Sequence, residues 1–310
     1  MGALDRLKRD GKTSDSIVEA VRQSKNKGNP THKEVEDIED IIRKCVMENK
    51  LGAIYYEDKI HKIVKRVKRT NFETISKSWN GVDIPLAREL CKLALYDIIL
   101  LVDDSGSIFA SQDNRHEELI MVSSVISEVA ALFDDDGIEI VSLHSKSHKN
   151  IRNGKEASKY IKNMKSGRGN TQLGRALRDK VLSPFRQSKG KIQKPVLIYI
   201  ITDGEPFGEP RDELERAIKE GRDYLVGRGY PEDFFSYQIA QVGNDIKATE
   251  FLNALDSNVS LGAFVDVTSR YEIEEEQFQK ADITLTPEIW LIKLLLGAID
   301  ESFDKLDEIQ

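Results

Sequence analysis

Apolar positions along the chain change period once, near Tyr96. Between Thr31 and Leu95 they recur every three or four residues: Val35, Ile38, Ile42 and Val46, then Ile60, Ile63, Val64 and Val67. A shorter stretch covers residues 72–79, and Leu86, Leu90, Leu93 and Leu95 follow Pro85. This spacing predicts amphipathic helices, the first capped by Thr31 with Glu34 three residues on, the last opened by Pro85. Residues 1–30 are polar with no sustained period and read as a mobile N-terminal segment, with room for a short helix around Ile17 to Val21. From Tyr96 onward the signal is different. Short, mostly apolar runs stand at 98–102, 138–143, 196–201, 235–242 and 263–267, those at 98–102 and 196–201 unbroken. Helical segments alternate with them at 117–133, 157–164, 173–181, 211–226 and 246–255, and a final one covers 287–303. Runs this short and rich in β-branched residues predict strands buried on both faces. Their alternation with helices predicts βαβ crossovers, hence an α/β fold with a doubly wound, mostly parallel sheet. The expected organisation is a polar segment over 1–30, a helical extension over 31–95 and an α/β domain over 96–305, including the last helix.

Composition narrows the class. The 310 residues are 39% hydrophobic and 32% charged, and the longest apolar run, Val196 to Ile201, is far short of the ~20 residues of a membrane helix. The first residues lack the apolar stretch of a secretory signal. Cys45 and Cys91 sit in apolar helical contexts, without the spacing of a disulfide scaffold or a zinc finger. A cytoplasmic protein is the expectation. Charge is uneven: residues 1–96 hold 20 basic and 15 acidic side chains, a net of +5, and the remainder holds 26 and 38, a net of −12. The larger, acidic region would repel phosphate, so nucleic acid is not an expected partner. The basic helix at Lys59–Arg69 reads as packing its apolar side on the α/β body, and no aromatic residues interleave its charges for base stacking.

In doubly wound sheets ligands sit beyond the carboxyl ends of the strands. After Val102 come Asp103, Asp104, Ser105, Gly106 and Ser107; after Ile201 come Thr202 and Asp203; and Thr171 closes a glycine-rich loop just before a helix. Together Asp103, Ser105, Ser107, Thr171 and Asp203 offer three hydroxyls and two carboxylates, with no His or Cys. Such hard oxygen donors suit Mg²⁺ or Mn²⁺, less so Ca²⁺, and argue against zinc. Gly106 lets the backbone turn closely over one ion. Asp104 reads as a solvated or sheet-edge carboxylate, the Asp134–Asp136 run as a solvated turn, and Glu205 and Glu209 as exposed loop charges near the site.

Asp103-x-Ser105-x-Ser107, with Thr171 and Asp203 each after the expected element, resembles the metal-ion-dependent adhesion site of von Willebrand factor A domains. The resemblance covers roughly residues 96–270. A narrower one, carried by Leu93–Ile98, Phe133–Gly137, Lys194–Val196, Thr202–Pro206 and Trp290–Asp300, is to intracellular, fungal-type A-domain proteins, and implies that the N-terminal helices belong to the architecture. The family resemblance implies that Ser105, Ser107 and Thr171 would hold the ion directly, and that Asp103 and Asp203 would act mostly through water. It also implies an open coordination position that an Asp or Glu of a protein ligand fills. The expected function is therefore a metal-dependent protein-interaction module and not an enzyme. Two alternatives stay open: a Mg²⁺-assisted hydrolase or phosphotransferase using the same oxygen donors, and a degenerate scaffold without metal. Against the first, Ser105 stands where an Asp-x-Asp phosphotransferase has its second carboxylate. The sequence also lacks a phosphate-binding Gly-x-x-x-x-Gly-Lys loop and a Gly-x-Ser-x-Gly elbow.

Overall fold

The computed structural model describes residues 2–25, 30–110, 114–134, 136–164, 169–188, 190–261 and 264–304. Ahead of the sheet come helices α1 (Ala3–Arg9), α2 (Ser14–Gln23), α3 (His32–Glu48), α4 (Glu57–Val67), α5 (Phe72–Ser78) and α6 (Ile84–Glu89), then a 3₁₀ stretch, Leu90–Leu95. Thr31 and Glu34 form the expected capping box, and Pro85 lies in the first turn of α6. The expectation of a mobile segment over 1–30 does not hold for residues 3–23, where the short helix allowed around Ile17 to Val21 is part of a longer one and a further helix precedes it. There α1 buries Ala3, Leu4 and Leu7, and α2, with its own capping box between Thr13 and Ser16, buries Ile17, Val18, Ala20 and Val21. Seven and ten residues are too few for periodicity to stand out among so many charges, and such helices are marginal without tertiary packing. Residues 26–29, also part of that expectation, lie outside the described residues.

Among the described residues the sheet has six strands, in the order β3-β2-β1-β4-β5-β6. They are β1 (Asp97–Val102), β2 (Ile138–Ser142), β3 (His148–Ile151), β4 (Val196–Thr202), β5 (Phe235–Gln241) and β6 (Val265–Thr268). All neighbours run parallel except β2 and β3. The apolar runs became the parallel strands, and β4 and β5 are buried at every position. Only β3 lacked a signal: it is an edge strand, and His148, Lys149 and Asn150 are exposed.

Helices α7 (Gly106–Ala110) and α8 (Arg115–Phe133) follow β1, and α9 (Gly154–Lys162) follows β3. A π-helical stretch, Leu177–Leu182, links α10 (Leu173–Ala176) to α11 (Ser183–Gln187) before β4. Then come α12 (Glu213–Gly227), α13 (Ile246–Asp256), α14 (Tyr271–Lys280), α15 (Pro287–Leu296) and α16 (Glu301–Asp304). The single helix expected over 287–303 breaks after Leu296. A Cβ at Gly297 would come within 2.2 Å of the Asp266 carboxylate, and Gln238 accepts the Ala298 amide at 2.9 Å, so a buried polar pair on β5 and β6 interrupts the turn.

The N-terminal helices form a further layer over one side of the α/β body, with α2 against α8 and α1 against α15. Their basic side chains meet its acidic ones: Arg22 and Lys25 reach Glu128, Lys12 reaches Glu288, and Lys92 reaches Asp300. Apolar α15 is thereby covered; its one cation, Lys293, is buried against Glu274 at 2.8 Å. Both cysteines are buried and unpaired. Among the described residues no helix is long and apolar enough to cross a membrane.

Candidate metal centre

Chain order reverses between β1 and β4, which are registered so that Val102 lies beside Ile201. The Asp103 amide continues the ladder to the Ile201 carbonyl at 2.9 Å, which places Asp103 beside Thr202 and Asp203 at the carboxyl edge of the sheet. Asp103 is fully buried. Its Oδ1 accepts the Ser105 amide at 2.9 Å, a turn that bends the chain back over the strand end, and its Oδ2 accepts the Thr202 hydroxyl at 2.7 Å. From there a chain of hydroxyls runs outward. Ser105 Oγ lies 3.0 Å from Ser107 Oγ, and Ser107 Oγ donates to Asp203 Oδ1 at 3.0 Å. The second Asp203 oxygen, Oδ2, accepts Nη1 of Arg115 at 2.7 Å.

Thr171 arrives from a separate loop, whose preceding residues 165–168 lie outside the described residues. Two segments are laced together to hold it. The Phe207 amide donates to the Thr171 carbonyl at 2.9 Å, and Gln172 Nε2 donates to the Gly208 carbonyl at 2.7 Å. Glu209 accepts the first amides of α10, those of Gly174 and Arg175, at 2.8 and 3.0 Å. Gly208 has a φ of 80°, and a Cβ there would come within 2.1 Å of the Asn170 amide nitrogen, so only glycine suits this close crossing. Gly204 faces the Thr171 hydroxyl at ordinary contact distance.

Ser105, Ser107, Thr171 and Asp203 thus line one open cleft of about 300 Å³, with Asp103 beneath it. None of the described residues of 1–95 lines it. A larger cavity, about 730 Å³, lies at the other end of the sheet, near the starts of β5 and β6, and has a mixed charged lining that includes Lys44, Glu48, Arg222 and Glu232. Size alone would point there; the converging oxygen donors point to the smaller cleft.

Asp103 carries the electrostatic signature of the site. Burial, and then the charge of Asp203, push its carboxyl up to about 6, against the hydrogen bonds from Ser105 and Thr202 that favour the ionised form. Its bonding partners are an amide and a hydroxyl, with no cation among the described residues. The donor set, two carboxylates and three hydroxyls, is of the kind a hard divalent ion takes.

Two readings of nearby residues need correction. Asp104 is not solvated but wholly buried, and its two oxygens accept the His144 and Ser145 amides, each at 2.8 Å, pinning the loop after β2 to the end of β1. Glu209 is no free loop charge, because it caps α10. Glu205 does line the cleft. Arg115 escaped sequence reading altogether. Its one signal was an unfavourable position, a cation on the first residue of a helix, against the positive end of the dipole.

The family described as von Willebrand factor type A domain matches residues 97–267. Among solved structures, proximal thread matrix protein 1 (PTMP1) from the mussel byssus aligns at 18% identity with a TM-score of 0.39, covering 67% of this chain and 48% of its own. The same protein with a zinc-occupied MIDAS motif gives 0.40 with the same coverage. The alignment spans about half the length of those chains. No curated protein matches this chain.

Proposed function

The chain belongs to the von Willebrand factor type A domain family, and from that premise we propose that its cleft binds a divalent cation, Mg²⁺ or Mn²⁺, and through it an acidic residue of a protein ligand. One observation carries the reading: a fully buried carboxylate, Asp103, lies without a cation among the described residues, beneath a cleft lined by Ser105, Ser107, Thr171 and Asp203. These four would face the ion, and Asp103 would orient Ser105 and add charge from below. Hydroxyl donors withdraw little of an ion's charge, so a bound cation would keep enough of it to attract a carboxylate. The rim suits a protein surface, since Phe207 is 69% exposed there with its amide tied to Thr171.

This is a binding module and not an enzyme. The two carboxylates on the cleft wall besides Asp203 have structural engagements: Glu205 with Arg211 at 3.5 Å, and Asp245 with the first amides of α13. Calorimetric titration of the metal-stripped protein with Mg²⁺ and Mn²⁺ tests the reading. Saturable binding that weakens about a hundredfold in Asp103→Ala is expected. Equal binding by both proteins, or none by the wild type even with excess acetate as a carboxylate, would overturn it, and turnover of a phosphoester panel in Mg²⁺ would favour the hydrolase instead.

A further inference from the structure

Arg115 opens α8, where its charge opposes the helix dipole, and its guanidinium reaches across to Asp203. It takes Oδ2, the oxygen that Ser107 leaves free. The Arg115 side chain is only 15% exposed and that of Asp203 is wholly buried. The stem lies in a slot made by Gly243, in the loop after β5. Gly243 has a φ of 75°, and a Cβ there would meet Arg115 Cγ at 2.5 Å and Nε at 2.8 Å. The Gly243 amide in turn donates to Glu118 Oε2 at 2.8 Å, so loop and helix close the slot together. Arg115 is therefore a clamped cation within the cleft wall, rather than a surface side chain that happens to swing past.

Its effect follows from the charges at the site. Counting the groups joined to the oxygen donors, Asp103 and Asp203 with Arg115 carry one net negative charge, since on the rim Glu205 is paired with Arg211 and Asp245 is held by the first amides of α13; a divalent ion turns this into one positive, and a ligand carboxylate then restores neutrality. Without Arg115 the same steps run from two negative charges to none and then to one negative, so the ion would bind readily alone and the carboxylate would gain little. We infer that Arg115 is a resident counter-charge that holds down affinity for the cation until a carboxylate ligand arrives, so that cation and acidic ligand bind as a cooperative pair. This rests on the reading of the cleft as a cation site and deepens it, because the partner must then supply an anion. Coupling of this kind is reciprocal, so either component raises affinity for the other.

The test is Mg²⁺ titration of the metal-stripped full chain, in acetate-free buffer and with excess acetate as the carboxylate probe. In wild type, acetate should raise Mg²⁺ affinity. Arg115→Met should bind Mg²⁺ about tenfold or more tightly without acetate and lose the acetate effect. Arg115→Lys, which keeps the charge, should follow wild type. Gly243→Ala, which keeps the arginine but fills its slot, should move toward Arg115→Met; it carries the test should Arg115→Met fail to fold. Binding in Arg115→Met but not in wild type would also support the inference. Equal affinity in wild type, Arg115→Met and Gly243→Ala would overturn it and leave the cation reading standing, whereas no binding in any of them would overturn both.

Discussion

Glu128 and Asp103 are both wholly buried, and the chain meets their charges in different ways. Glu128, in the middle of α8, is reached by Arg22 at 3.1 Å and Lys25 at 3.2 Å from the N-terminal layer, and also accepts the Gly154 amide. Glu288 and Asp300 are likewise met by Lys12 and Lys92. In these pairs cations of the N-terminal part meet buried carboxylates of the acidic body. At the carboxyl edge of the sheet, Asp103 has only neutral partners among the described residues. A buried ion supplied with a counter-ion holds layers together, and one left without it retains a demand for positive charge.

That contrast can be broken by experiment. The largest effect on stability should come from Arg22→Met with Lys25→Met, which strands Glu128 without a cation. A loss of about 3 kcal/mol in urea unfolding is expected, with Mg²⁺ affinity unchanged because the cleft is untouched. Next comes Lys92→Met, expected to cost about 2 kcal/mol at neutral pH. Its pH dependence is the sharper readout. Burial alone would raise the Asp300 carboxyl, but the hydrogen bonds from Lys92 and Ser302 and the charge of Lys92 bring it below its ordinary value. A lowered carboxyl contributes stability above the unfolded value of about 3.9 and loses it as pH falls through the lower folded value. The deficit of Lys92→Met relative to wild type should therefore shrink on acidification, as measured by denaturant unfolding at a series of pH values. The smallest effect is expected for Asp103→Asn in the metal-free protein: a change within about 1 kcal/mol, stabilising if anything, because the amide keeps the Ser105 bond and sheds an unpaired charge. If that variant were as unstable as the Arg22 and Lys25 double variant, Asp103 would be a structural carboxylate like Glu128, and the distinction would be lost.

How legible each part was depended on how local its cause is. The strand after Tyr96 announced itself because Ile98 to Val102 is an unbroken apolar run. The oxygen donors were readable because Asp103, Ser105 and Ser107 alternate directly after it, and Thr202 and Asp203 directly follow another such run. Edge strand β3 was invisible, since only Ile151 of its four residues is buried. Helix α1 was missed, and α2 was legible only as room for a short helix around Ile17 to Val21, because their apolar sides are short and pack on α15 and α8. Asp104 and Glu209 look like loop charges in sequence, and only the folded chain brings the amides of His144, Ser145, Gly174 and Arg175 to them.

The sequence by itself determined the parallel α/β sheet and the residue types along its carboxyl edge, because hydrophobic period and strand-end chemistry are written within a few neighbouring positions. Tertiary structure alone decided which charges are neutralised. Arg22 lies 106 residues from Glu128, and Arg115 lies 88 residues from Asp203. Whether a carboxylate gains a cation across such separations depends on how layers pack, and no local pattern encodes it. The same packing left Asp103 beneath an open cleft with no cation among the described residues.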